Sequence, residues 1–126
     1  MIILVTGTTH TGKTLLAQRL LEKYKYPYLS MDSLKMALVN TGYINIDHRN
    51  RDKLVDFIWP VVKEMIKYTI LTNQNIIVEG GYMPMNWRKD FEGEFSMDMF
   101  KYICLAMSDS YIDNNFDKIM GNSSKI

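Results

Sequence analysis

Gly7-Thr8-Thr9-His10-Thr11-Gly12-Lys13-Thr14 is the stretch that decides how the rest of this 126-residue sequence is read. Before it, residues 1–6 form an unbroken apolar, largely β-branched run, the pattern of a strand buried on both faces of a parallel sheet. After it, residues 14–24 carry Leu15, Leu16, Leu20 and Leu21 on one face and mostly polar residues elsewhere, which predicts an amphipathic helix. Between strand and helix, Gly7 and Gly12 let the backbone turn so that successive N–H groups face inward, and the helix adds the positive end of its dipole. A loop of that kind binds an anion mostly through its backbone.

The eight residues match G-x-x-x-x-G-K-[ST], the P-loop or Walker A pattern, at every fixed position. The expected cradle for a nucleotide's phosphates therefore comprises Gly7, Thr8, Thr9, His10, Thr11, Gly12, Lys13 and Thr14. Lys13 is expected to reach the β and γ phosphates and to act in catalysis, while the Thr14 hydroxyl is expected to coordinate Mg²⁺. His10 occupies a variable position, where side chains point in many directions, and is read as part of the cradle.

Outward from the loop, strands and helices alternate. Pro27 ends the first helix, residues 28–30 read as a second strand, and residues 31–39 have helical spacing at Leu34, Ala37 and Leu38. A polar loop follows, then a long helix over residues 52–72 whose apolar positions include Leu54, Phe57, Ile58, Val61, Val62, Met65 and Ile66, with Pro60 expected to bend it. Residues 76–78 predict a third strand, residues 101–107 a fourth, and residues 109–120 a last helix; a polar connection containing Trp87, Arg88 and Asp90 joins the last two strands. Such alternation predicts one α/β domain over residues 1–126, with a parallel sheet flanked by helices and ligands bound beyond the carboxyl ends of its strands.

Composition narrows the function. The 15 Lys and Arg nearly balance the 14 Asp and Glu, so the formal net charge is +1, and no broad basic surface for nucleic acid or anionic membrane is expected. The single cysteine, Cys104, excludes an internal disulfide and a CxxC metal site and suits a reducing cytoplasm. No stretch reaches the roughly 20 apolar residues that span a bilayer. The state expected is monomer or homodimer.

Two carboxylates fall at strand ends. Asp32 follows the second strand, where it could orient or deprotonate an acceptor hydroxyl, help hold Mg²⁺ through water, or simply cap the next helix, as could Ser33. Glu79 closes the third strand ahead of Gly80 and Gly81, the place of a Walker B acid; it could bind Mg²⁺ through water, contact the acceptor, or be a solvated terminus. Lys35, Arg49 and Arg51 are the basic candidates for holding an acceptor, with Arg88 less well placed and Arg19 on a solvated helix face. Tyr24, Tyr26 and Tyr28 read as edge packing.

With the P-loop, Ser30-Met31-Asp32-Ser33-Leu34-Lys35 and Val78-Glu79-Gly80-Gly81-Tyr82-Met83-Pro84 in place, the chain resembles the P-loop kinases of adenylate-kinase-like type, which include nucleoside monophosphate kinases and shikimate kinase. The resemblance covers about residues 1–120. It implies a three-layer P-loop NTPase fold with strand order 2-3-1-4 and a fifth strand beyond, ATP-Mg²⁺ as phosphoryl donor, and an acceptor between the ends of the second and third strands. The chain departs from the family's pattern where acceptor-phosphate arginines stand, offering Lys35 and Glu79-Gly80-Gly81-Tyr82 instead. Lysine lacks the planar guanidinium fork, which favours a neutral hydroxyl acceptor over a nucleotide. By the same resemblance the sequence ends before the lid, its arginines, the fifth strand and the adenine loop. The expected function is γ-phosphoryl transfer from ATP to a hydroxyl or phosphate of a small molecule or nucleotide; the alternative is a nucleotide-binding module with little turnover. A GTPase is disfavoured because no Asn-Lys-x-Asp sequence occurs.

Overall fold

A computed structural model of the chain describes residues 1–7, 12–45 and 50–105. The first strand, β1 (Ile2–Gly7), leads through the loop to helix α1 (Lys13–Tyr24), strand β2 (Tyr28–Ser30) and helix α2 (Met31–Asn40). Helix α3 (Arg51–Leu71), strand β3 (Ile76–Glu79) and strand β4 (Phe100–Leu105) complete the described elements, with two short 3-10 helices, Trp87–Asp90 and Met97–Met99, between the last two strands. Thr8, Thr9, His10, Thr11, Arg49, residues 106–107 of the expected fourth strand and the expected helix at 109–120 lie outside the described residues.

The four strands form a parallel sheet in the order β2-β3-β1-β4, as the resemblance implied. Alternation along β1 explains the layers. Ile2 and Leu4 join Val78 in a core with α2 and α3, whereas Ile3 and Val5 join Ile77, Ile103 and Leu105 in a second core against α1. Because successive strand side chains point to opposite faces, a strand apolar at every position must be covered on both. On α1 the fully buried residues are Leu16, Ala17 and Leu20, with Leu15 and Leu21 partly covered beside them.

One expectation about α3 changes. The helix continues through Pro60, and its buried row is Leu54, Ile58, Val62 and Ile66, an i, i+4 ridge with Trp59 alongside. Phe57, Val61 and Met65, which the sequence placed among the apolar positions of the helix, are exposed. Two apolar rows lie side by side on this helix, and periodicity alone does not tell which meets the sheet.

The connection after β3 also differs from the polar segment expected. Trp87 and Phe91 are buried, and their rings lie edge-on to each other at 6.2 Å, with Phe100 and Tyr102 of β4 tilted against Trp87 at 5.5 Å. The Trp59 indole N–H donates to Asp90 at 2.8 Å, tying α3 to this connection. The connection is thus a lid over one face of the sheet, built from aromatic side chains spaced between polar ones.

Ile58 and Phe57 separate the two rows of α3 experimentally. Ile58→Ala is expected to cost about 3 kcal/mol of stability, within the range for large-to-small core changes. Phe57→Ala is expected to cost less than about 1 kcal/mol, as at exposed positions. Urea denaturation of both variants measures the difference.

Candidate active site

The parallel register gathers the site. Glu79 stands level with Val5 on one side and with Ser30 on the other, so β2 and β3 end at the same height and β1 runs two residues beyond them to Gly7. Gly7 ends β1, and Gly12, with φ 79° and ψ 15°, caps α1 in the left-handed conformation that glycine adopts without a Cβ penalty. Lys13 and Thr14 open the helix, one residue earlier than the sequence pattern placed its start. The first N–H groups of α1 have no partners within the helix, which leaves this end suited to an anion.

Thr14 Oγ1 donates to Glu79 Oε1 at 3.0 Å, which joins the loop to the third strand across 65 residues of sequence. The Tyr28 hydroxyl donates to the same oxygen at 2.7 Å. Glu79 is only 2% exposed, so the solvated-terminus reading is corrected: this strand end lies inside the protein. Tyr28 is likewise more than edge packing, since its ring rests on the α1 core while its hydroxyl reaches the acid. Withdrawing a carboxylate from water costs several kcal/mol unless donors compensate. Here both donors use one oxygen, and Glu79 Oε2 is buried without a hydrogen-bond partner among the described residues.

This donor set fits a magnesium ion. A threonine hydroxyl that gives its proton to Glu79 keeps lone pairs for a cation, and a buried carboxylate oxygen without a partner suits a metal-bound water. Magnesium retains several waters and needs few protein ligands.

Burial holds the Tyr28 phenol well above the ordinary tyrosine range, and the hydrogen bond to Glu79 and that residue's charge push it in the same direction. The Asp32 charge adds a smaller upward push, so Asp32 shares this side of the site.

Beyond Glu79 a second group assembles. Ser30 caps α2 by accepting from the Ser33 N–H at 3.2 Å, so the cap reading of Asp32 and that of Ser33 give way to Ser30. Asp32 lies in the first turn with its side chain 60% exposed, and the Lys35 ammonium stands 3.9 Å from its carboxylate. Lys35 also donates to the Tyr82 hydroxyl at 3.0 Å. Arg51, at the start of α3, donates to the Gly81 carbonyl. Lys35 and Arg51 are thereby brought to neighbouring residues of one segment, whereas Arg19 pairs with Glu22 on α1 and the Arg88 guanidinium lies 4.7 Å over the Trp87 ring.

Gly80 permits this approach. Its φ is +155°, and a Cβ there would stand 2.5 Å from Met31 Cβ, so the end of β3 and the start of α2 meet only because the position has no side chain.

The structure brings Thr14 to Glu79, and Lys35 and Arg51 to the segment after β3, and it adds the hydroxyls of Tyr28 and Tyr82, which the sequence pattern does not assign to these neighbourhoods. Tyr28 aligns with Ile77 in the sheet, which puts it on the same face as Glu79 one step farther along the strand. Only knowledge of the β2–β3 register reveals that neighbourhood.

No family model and no curated protein sequence matches the chain. Solved structures do. A putative kinase from Chloroflexus aurantiacus superposes with a TM-score of 0.66 at 20% identity, covering 96% of this chain and 68% of its own. A sugar kinase from Janibacter sp. gives 0.56 at 14% identity, covering 93% and 66%. A gluconokinase from Sinorhizobium meliloti gives 0.52 at 18% identity, covering 94% and 65%. The chain therefore has the fold of P-loop small-molecule kinases, and it spans about two thirds of the length of these structures.

Two outcomes are expected. Gly80→Ala should lower stability by about 2 kcal/mol or more, through overpacking against Met31, in a denaturation assay. A raised tyrosine stabilises the fold fully below the ordinary phenol value, and this stabilisation is lost as pH rises through the higher folded value. The stability difference between wild type and Tyr28→Phe should therefore narrow as pH rises above about 10, measured by urea midpoints.

Proposed function

We propose that this chain is an ATP-dependent phosphotransferase that passes the γ-phosphoryl group to a hydroxyl of a small molecule held beyond the ends of β2 and β3. The single observation that carries the reading is the hydrogen bond from Thr14 of the phosphate loop to a buried Glu79 whose second oxygen has no partner among the described residues. A merely structural glycine turn requires no buried acid behind it.

In this reading the loop residues Gly7 to Thr14 hold the phosphates of ATP, mainly through backbone N–H groups, and Lys13 gathers the β and γ phosphates. Thr14 and Glu79 would hold Mg²⁺, which when bound would supply positive charge against the phosphates of the nucleotide. Asp32 accepts the proton of the acceptor hydroxyl as its oxygen bonds to the γ phosphorus, the bond from that phosphorus to the β–γ bridging oxygen breaks, and ADP leaves. The exposed carboxylate of Asp32, with Lys35 at 3.9 Å, supports that role, because a base must be reachable by a diffusing substrate. Lys35 and Arg51 flank the acceptor region, and Arg49 is proposed to join them. The rate enhancement then comes from positioning and fixed charge, with no covalent enzyme intermediate.

The similar structures include a sugar kinase and a gluconokinase, which supports a small polyhydroxylated acceptor here. Replacement of the family's acceptor arginines by Lys35 and Glu79-Gly80-Gly81-Tyr82 supports the same preference over a nucleotide. No described helix is long and apolar enough to cross a membrane. We further propose a cytoplasmic protein that acts as a monomer or homodimer, without nucleic acid.

Calorimetry with ATP-Mg²⁺ and ADP, followed by transfer assays over sugars, other small alcohols and nucleotides, tests the reading. Lys13→Ala should abolish nucleotide binding. Asp32→Asn should leave ATP affinity within about twofold and reduce transfer by about 100-fold or more, the scale of general acid–base catalysis. Unchanged turnover in Asp32→Asn would remove Asp32 from the mechanism. ATP binding with transfer to no acceptor would leave a nucleotide-binding module.

A further inference from the structure

The structure assigns to Tyr28 the job of fixing Glu79, so that one carboxylate oxygen is committed to protein donors and the other is left for the nucleotide-bound cation. This inference rests on the nucleotide reading above and adds a positioning residue to it.

The ends of a carboxylate are interchangeable by rotation about its last torsion, which is broad and two-fold. In Glu79 the two positions those oxygens occupy are not equivalent. Oε1 accepts from Tyr28 at 2.7 Å and from Thr14 at 3.0 Å, while Oε2 is buried without a partner among the described residues. A half-turn merely swaps two equivalent oxygens; what the two hydroxyls hold is the plane of the group, with one oxygen position bonded to them and the other not.

The two donors differ in what else they do. Thr14 belongs to the phosphate loop and has its own part in cation binding, so its hydroxyl is placed by two demands. Tyr28 has one. Its ring lies on the α1 core and its strand is paired with β3, Tyr28 level with Ile77 and Ser30 level with Glu79, so the phenol approaches from the sheet itself. A tyrosine brings its hydroxyl at the end of a rigid ring with only two side-chain torsions to fix. The hydroxyl that anchors Glu79 is therefore supplied by an element outside the phosphate loop.

Tyr28→Phe keeps the ring and removes the hydroxyl. ATP affinity should be measured by calorimetry in EDTA and in Mg²⁺, for wild type, Tyr28→Phe, Glu79→Gln and the double variant, with thermal unfolding to verify folding. For Tyr28→Phe the expected result is unchanged affinity in EDTA, within about twofold, and about a 10-fold loss of the Mg²⁺-dependent tightening, the lower end seen when partners of metal-site residues are removed. In the Glu79→Gln background the same substitution should have no further effect on that tightening, because Tyr28 acts through the carboxylate.

Full Mg²⁺-dependent tightening in Tyr28→Phe, or an equal loss with and without the Glu79 carboxylate, would overturn the assignment of Tyr28 alone. A wild-type chain that binds no ATP under either condition would overturn the nucleotide reading itself, and this inference with it.

Discussion

A buried carboxylate at the end of a parallel strand is the constraint around which the site is organised. Glu79 is removed from water, and an uncompensated charge there would oppose folding by several kcal/mol. Its compensation comes from two other elements. β3 carries the acid, α1 supplies the Thr14 hydroxyl, and β2 supplies the Tyr28 hydroxyl. The bonds exist only when β1, β2 and β3 are in register and α1 starts immediately after the phosphate loop, so the electrostatics of one residue and the topology of the sheet require each other.

The surrounding packing serves the same geometry. Two cores, one on each face of the sheet, hold the strands from both sides, and the close contact of Gly80 with Met31 lets α2 begin next to the end of β3. Through that approach Asp32 and Lys35 come to the Glu79 side of the molecule, and the segment after Gly80 receives both Lys35, on Tyr82, and Arg51, on Gly81. The polar groups beyond the phosphate loop are thus fixed by backbone proximity as much as by their own hydrogen bonds.

Three ambiguities of the sequence have one origin. The sequence lists Phe57, Val61 and Met65 with the other apolar positions of α3, reads the Trp87 connection as polar, and reads Tyr28 as edge packing. In each case the residue's own neighbours in sequence are compatible with two environments. Helical periodicity marks two adjacent apolar rows on α3, but the sheet covers only the row of Leu54, Ile58, Val62 and Ile66. Likewise Trp87 and Phe91 are spaced among charged residues and become core only because β4 and α3 meet over them.

What the sequence by itself determined is the strand–loop–helix unit, the alternation that makes an α/β fold, and the types of residue at the strand ends. These depend on local chemistry: β-branched runs, glycines at a fixed spacing, a lysine and a threonine at a helix start. Tertiary structure alone decided that Glu79 is buried, that Tyr28 and Thr14 share its one bonded oxygen, that Ser30 rather than Asp32 caps α2, and which row of α3 is core. Each of those depends on register between strands or on what covers a face. Burial and hydrogen bonding between residues tens of positions apart are properties of the assembled sheet, and no local pattern carries them.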